Sequence, residues 1–262
     1  MGMAEDEAGA DKDPEFMTSL ARGLAVIRCF AERREPLTIA QAAQETGFSR
    51  PAGRRCLHTL VCLGYAARIG HRYALQPKAL ALGYAYLSSS PLASRAQPML
   101  DALRDEIGES CSLGVCEEEQ VYYIARAESS RIMSIALRAG SRLPLYPTSM
   151  GRILLAARTR SEQEAYLRGT PLVALTDRTE TDADALLAIL AETAERGHAI
   201  VDQELEVGLR SVAVPVHQGG RVVAALNIGT QASRVSMAEL RSRLLPALRR
   251  VATDLSRAGL FG

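Results

Sequence analysis

A chain of 262 residues, 47% of them hydrophobic, carries enough apolar material for one large core or two ordinary ones. Its formal charge of +1 excludes a scaffold that is basic throughout, and the absence of Trp argues against a base-stacking binder of single strands. The cysteines contain no C-x-x-C pair and the histidines no ligand spacing, which supports neither a disulfide frame nor a metal centre and leaves reduced thiols in a cytoplasmic protein.

Residues 1–16 are acidic, rich in Gly and Ala and without periodicity, and read as a disordered tail. Residues 17–77 have the pattern of a small DNA-binding domain. Leu20, Leu24, Ile27 and Phe30 put an apolar stripe on a first helix, expected to pack behind Ile39, Ala43, Phe48, Leu57 and Leu60. Thr38 is a candidate N-cap for a second helix, in which Ile39, Ala42, Ala43 and Thr46 recur at helical spacing. Gly47 turns the chain where a Cβ would be strained, and Ser49 caps a third helix with Pro51 in its first turn. Gly64 ends that helix, and Tyr65–Arg68 and Arg72–Leu75 flank a turn at Gly70. This order of elements is a winged helix-turn-helix, and it predicts a double-stranded DNA operator as partner.

The charge agrees. Between Met17 and Pro77 nine arginines stand against three glutamates, the balance that phosphate neutralisation needs, although a solvated arginine-rich face is the plainer alternative. With Cys56, Leu57, Leu60 and Leu63 predicted inward, Arg50, Pro51, Ala52 and Arg54 form the groove-facing end, beside the caps Thr38 and Ser49. Pro51 and Ala52 can offer only apolar contact, whereas Arg50 or Arg54 can bond a guanine edge. Arg55 and Thr59 fall on the flanks, where Arg55 either braces the fold or holds a phosphate. Arg68, His71 and Arg72 suit backbone or minor-groove contact by a wing, or else decorate a plain hairpin tip.

Residues 78–91 form a linker helix whose Leu80, Leu82, Tyr84, Tyr86 and Leu87 are apolar nearly all round. Such a helix needs a partner, most simply the same helix of a second subunit. Ser88–Pro91 breaks it and sets a domain boundary near residue 90. From residue 92 to 258 strands and helices alternate. A helix over Leu92–Ile107 precedes strands Ser110–Glu117, Val121–Ala127 and Ile132–Arg138. A proline-stiffened loop leads to a helix over Ser149–Ala157, then come helices Ser161–Leu167 and Asp182–Arg196. Strands His198–Val201, Ser211–His217 and Val222–Gly229 and a helix from Ser236 to about Ser256 close the chain. The pattern predicts a mixed α/β (α+β) domain on a central mixed or antiparallel sheet. No apolar run reaches about 18 residues and no secretory signal pattern appears, so no membrane is implied.

Catalytic readings fail. Ser149 is followed one turn later by Arg152, not by the Lys of an S-x-x-K nucleophile, and no G-x-S-x-G, H-x-E, P-loop or dinucleotide fingerprint occurs. Asp202, Glu204 and Glu206 are close in sequence, but nothing pairs them as acid and base. The reading is therefore no enzyme, no cofactor and no metal. A binding site is easier to build. The loop Leu143–Ser149 ends at a helix start, where the N–H groups of Ser149, Met150 and Gly151 favour an anion. Asp202, Ser211 and Asn227 can converge there from strand ends, although each also has a structural reading as a turn residue or a core amide.

The stretches SLARGLAVIRCF, RLPLYPTSMGRILLA and GHAIVDQELEVGLRSVAVPVHQGGRVVAALNI, with the helix-turn-helix, resemble the IclR family of bacterial transcription regulators from Met17 to about Arg257. YAYLSSSPLASRAQP, GESCS, TSMGR and LEVGLRSVAVPV are similar to one branch, the regulators of the β-ketoadipate pathway of aromatic-acid breakdown. The resemblance implies a GAF-like effector-binding domain and a homodimer or dimer of dimers paired through the N-terminal and linker helices. It implies an effector pocket of Ile132, Ile135, Leu143, Ser149, Met150, Asp202, Ser211, Asn227 and Gly229, holding protocatechuate, 4-hydroxybenzoate or β-ketoadipate. Arg131, near the pocket mouth, reads equally as a carboxylate partner or a surface charge. Pro51-Ala52 stands where many members carry Ser-Thr, so no family operator is carried over. The implied function is a ligand-responsive transcriptional regulator of aromatic-acid catabolism on a palindromic operator. The alternative is a sensor or enzyme of the same metabolism without operator-specific DNA binding.

Overall fold

The computed structural model describes residues 13–32, 35–129 and 137–257. These divide into two compact units, the first ending at Ala85 and the second beginning at Tyr86. The tail before residue 13 and most of the strand expected over Ile132–Arg138 lie outside the described residues.

The first unit runs α1 (Thr18–Glu32), β1 (Leu37–Thr38), α2 (Ile39–Thr46), α3 (Arg50–Cys62), β2 (Ala66–Ile69) and β3 (Arg72–Leu75). A single 3-10 turn then leads into α4 (Leu80–Ser89). β3 lies between β1 and β2 in an antiparallel sheet, and the β2–β3 hairpin turns at Gly70-His71. Val26, Ala42, Leu57, Leu60, Ala66 and Tyr73 make the core. The stripe expected to turn inward on α1 does so only in part. Ala25, Val26 and Cys29 are buried, while Leu20 and Leu24 stay 58% and 49% exposed. The helix is apolar on two faces, and a unit this small has material to cover only one. Leu63, also expected inward, is exposed at the end of α3, and α4 buries none of its residues.

The second unit is a six-stranded antiparallel sheet between two helical layers. Its elements are α5 (Pro91–Ile107), β4 (Ser110–Glu117), β5 (Gln120–Ala127), β6 (Arg142–Pro144), α6 (Ser149–Ala156), α7 (Arg160–Gly169), α8 (Ala183–Arg196), β7 (Ala199–Asp202), β8 (Leu209–Gln218) and β9 (Arg221–Gln231). A short helix, α9 (Met237–Glu239), and a π turn over Leu240–Leu244 lead into α10 (Leu245–Arg257). The strand order is β6-β5-β4-β9-β8-β7. Alternation along each strand builds two cores. Leu100, Leu103, Leu248 and Leu255 of α5 and α10 cover Leu113, Val214, Leu226 and Ile228 on one face. Met150, Ile153, Leu155 and Leu190 of α6 and α8 cover Val121, Tyr123, Ala213 and Ala225 on the other.

Gly114 lets α6 sit deep against this second face, and Gly151 lets the loop before α6 lie close on it. A Cβ on Gly114 would lie 2.7 Å from Val121 Cγ1 and 3.1 Å from Met150 Sδ, so the missing side chain is the seat of Met150. A Cβ on Gly151 would lie 2.0 Å from the Leu145 carbonyl oxygen and 2.4 Å from Leu145 Cα. That neighbour is backbone and cannot rotate away. Gly151→Ala is expected to cost about 1–3 kcal/mol or more of stability by overpacking, read as a lowered Tm. An unchanged Tm would show that α6 can back off at no cost.

Candidate functional site

The helix-turn-helix is held by its caps. Thr38 and Gln41 form a reciprocal capping box, in which Thr38 Oγ1 accepts from Gln41 N at 3.2 Å and Gln41 Oε1 accepts from Thr38 N at 2.9 Å. Gly47 closes α2 in the left-handed conformation at φ 72°, and Ser49 Oγ accepts from Ala52 N at the start of α3. Thr38 and Ser49, expected at the DNA, are thereby committed first to the helix starts. Arg50, Pro51 and Arg54 are exposed at the leading end of α3. Arg55 and Thr59 are exposed as well and, with Ala52, line a groove against α1 together with Leu20, Leu24 and Leu63. At the wing Arg68 Nε donates to Gly70 O, and Arg72 Nη1 donates to Pro36 O and lies 3.5 Å from Glu35. His71 is exposed at the turn between them.

In the second unit the small hollow beside the start of α6 is built from a cross-strand row. Ser112 of β4 pairs with Arg126 of β5 on one side and Asn227 of β9 on the other, and Gly229 lies opposite Ser211 of β8. Thr148 caps α6, its Oγ1 accepting from Gly151 N and donating to Pro144 O. Ser149 and Met150 of the first turn then face the sheet, and Tyr123, Pro147, Val201, Leu205 and Leu209 complete the walls. The hollow measures about 30 Å³. Burial pushes the Tyr123 phenol well above its ordinary pKa.

The polar groups around it are unusual in having no partner. Among the described residues five buried side-chain polar atoms are unpaired, and four of them belong to this lining: Arg126 Nε and Nη2, Ser149 Oγ and Asn227 Oδ1. Native structures pair such groups unless something else uses them. Of the residues expected in the pocket, Ser149, Met150, Ser211, Asn227 and Gly229 come together here. Leu143 lies on β6 opposite Val121 and packs into the core. Ile132, Ile135 and Arg131 fall outside the described residues. Asp202 is turned elsewhere. Paired across the ladder with Arg210, it accepts from Arg210 Nε at 2.8 Å and from Arg178 Nη1 at 3.2 Å. Sequence reasoning missed the two titratable lining residues, Tyr123 and Arg126, and the walls supplied by Leu137, Pro147, Thr148, Val201, Leu205 and Leu209.

A buried ion pair frames the hollow. Arg152 Nη1 and Nη2 donate to the two Glu204 carboxylate oxygens at 2.7 and 2.6 Å, and Nε donates to Tyr146 O. Glu204 Oε2 also accepts from Glu180 N, and the Glu204 carbonyl accepts from Thr179 Oγ1. Among the described residues no group of three His, Cys, Asp or Glu side chains could hold a metal ion, and no helix is long and apolar enough to cross a membrane.

A winged helix-turn-helix followed by a sheet domain with an unpaired polar hollow defines a ligand-sensing transcriptional regulator. The comparisons agree. The family descriptions "IclR helix-turn-helix domain" and "Bacterial transcriptional regulator IclR C-terminal" match residues 19–70 and 84–257. The chain belongs to the IclR family of bacterial transcriptional regulators. It is 50% identical over 252 residues to the Pca regulon regulatory protein of Pseudomonas putida, covering 95% of this chain and 86% of that one. A crystal structure of a Rhodococcus sp. RHA1 protein described as a transcriptional regulator superposes with a TM-score of 0.82 at 45% identity, covering 92% of this chain and 98% of that chain. The inducer-binding domain of an Acinetobacter PobR double mutant, solved with 3-hydroxybenzoic acid, matches with a TM-score of 0.60 at 31% identity over 63% of this chain and 97% of that chain.

Asp202 has a testable electrostatic signature. The hydrogen bond from Arg210 holds its carboxyl below the ordinary value of 3.8, with the charges of Arg210 and Arg178 adding to the effect. A carboxyl depressed by folding stabilises the fold above its unfolded pKa and loses that contribution as pH falls through the folded value. The Tm difference between the wild type and Asp202→Asn should therefore be full at neutral pH and shrink as pH drops below about 4. A gap that persists unchanged in acid would show that packing, not charge, is what Asp202 supplies.

Proposed function

We propose that this protein is a cytoplasmic regulator of aromatic-acid catabolism that binds a palindromic operator as a homodimer or dimer of dimers. Its effector would be a small acid of the kind handled there, protocatechuate, 4-hydroxybenzoate or β-ketoadipate. The observation that carries the reading is the set of unpaired buried groups on Arg126, Ser149 and Asn227 around one hollow. The relatives support it, since one governs a Pca regulon and another holds a hydroxybenzoic acid in the matching domain. At about 30 Å³ the hollow has room for a water molecule or two, so a ring enters only if its walls move. The effector would thus favour one conformation of the sensing unit, and the shift in populations would reach the operator.

Pairing is supported by the apolar surface of the first unit. Leu20, Leu24, Leu63 and Leu82 line a groove of about 550 Å³, and Leu80 and Tyr84 stand exposed on α4. A second copy of the same helices covers such a surface most simply.

The test is a thermal-shift screen of the full-length protein with these acids, each hit repeated in an operator-binding assay. An effector at 100 times its Kd should add about 2.7 kcal/mol of stability and change operator affinity. No shift with any of the acids would sink the effector reading. For the DNA end, Arg54→Ala should weaken operator binding by about 1–3 kcal/mol and random-sequence binding by less. An equal loss on both DNAs would make Arg54 a phosphate contact. Leu24→Asp should lower the solution mass toward that of one chain in light scattering, and an unchanged mass would remove α1 from the interface.

A further inference from the structure

We propose that Arg126 is the cation that grips the effector's carboxylate, so that the pocket selects acids over neutral rings of the same shape. The inference rests on the effector pocket proposed above and goes further by naming the ligand's charged group and the side chain that receives it.

The backbone brings Arg126 into the pocket by an irregularity. Gly114 lies opposite Tyr123 and Leu113 opposite Ala125, so Ile124 is an extra residue in β5. Ile124 and Ala125 consequently both turn toward the α5 and α10 face, and Arg126 joins Val121 and Tyr123 on the α6 face. Bulges of this kind re-aim side chains at functional sites. Gln97 of α5 fixes the bulged segment, its Oε1 accepting from Arg126 N and its Nε2 donating to Arg126 O.

The guanidinium is then aimed but only half used. Its Nη1 donates to Ser112 Oγ at 2.9 Å, while Nε and Nη2 have no hydrogen-bond partner. Those two are the N–H groups that share one edge of the planar guanidinium and point in parallel, the arrangement that receives a carboxylate bidentately. The nearest acid, Glu128, stands 3.9 Å from Nη2, beyond hydrogen-bond reach, and is 58% exposed where the Arg126 side chain is 7% exposed. Among the described residues Arg126 is also the one charged side chain in the lining. The neighbouring buried arginines are already satisfied, Arg152 by Glu204 and Arg210 by Asp202 and the Val235 carbonyl. A buried guanidinium with a free bidentate edge calls for an anion, and the hollow it faces is where the ligand enters.

The experiment titrates the full-length protein with 4-hydroxybenzoate and with its neutral isostere 4-hydroxybenzamide, for the wild type, Arg126→Gln and Arg126→Lys. The wild type should prefer the acid. Arg126→Gln should weaken acid binding on the order of 100-fold and leave the amide little changed, with Arg126→Lys between the two. The ligand-free Tm of Arg126→Gln should be equal to or higher than the wild type, because a buried charge with two unspent N–H groups has been removed, and ligand-free operator binding should be unaltered. Acid binding that survives in Arg126→Gln overturns the inference and leaves the effector reading standing. Parallel loss of acid and amide, with a lowered ligand-free Tm, also overturns it and makes Arg126 a structural residue. A wild type that binds neither 4-hydroxybenzoate, protocatechuate nor β-ketoadipate removes the effector reading together with the inference.

Discussion

Taking a guanidinium and a carboxylate out of water costs several kcal/mol apiece unless both are almost fully paired, and the Arg152–Glu204 bridge meets that condition. Both Arg152 terminal nitrogens engage the carboxylate, its Nε takes the Tyr146 carbonyl, and Glu204 accepts a further bond from Glu180 N. One charge pair therefore ties the loop before α6, the loop before α8 and the segment after β7 to a common point. Neither residue lines the hollow, yet the elements they join do, through Thr148 and Met150 on one side and Leu205 and Leu209 on the other. Losing either partner would strand a buried charge at a cost of about 3–5 kcal/mol, as much as a large truncation in the apolar core, so the pocket's outline depends on this bridge.

The same comparison separates scaffold from site. Arg152, Arg210 and Arg126 are three largely buried arginines of one domain. The first two spend their donors on carboxylates and carbonyls, and their surroundings are complete. Of the three, Arg126 alone keeps a free edge, and Ser149 Oγ and Asn227 Oδ1 in the same lining are equally unspent. Unpaired groups scattered through a core would be defects of packing. Gathered around one hollow, they describe the polarity of what fits there.

Local signals in the sequence carried the DNA-binding unit well, because its features are local. Thr38, Gly47 and Ser49 are caps and turns whose chemistry is decided within three or four residues. Ser149 and Met150 were readable for the same reason, as the start of a helix after a proline loop. Arg126 was not readable. Counting by twos from Tyr123 sends residue 126 to the opposite face, and only the register against Gly114 and Ser112 reveals the extra residue at Ile124. Asp202 failed for a related reason, since its partner Arg210 is chosen by the β7–β8 pairing and not by spacing along the chain. The misjudged stripe on α1 has another cause. Periodicity finds an apolar face but does not say whether the fold has anything to lay against it.

That uncovered face bears on how α3, the proposed DNA-reading helix, would work. α3 presents Arg50, Pro51 and Arg54 to solvent at its leading end, while its other flank, through Ala52, Arg55 and Thr59, lines the groove against α1. The proposed reading end and the groove wall are thus two sides of one helix of 13 residues. Under the proposed pairing, whatever fills the groove fixes where each α3 stands, and a paired helix-turn-helix must set its two reading helices about 34–36 Å apart to meet successive major grooves. A change in that pairing alters the spacing without touching a base contact. Regulation of this kind needs no change inside the helix-turn-helix itself, only a surface like that of Leu20, Leu24 and Leu63 whose covering partner can shift.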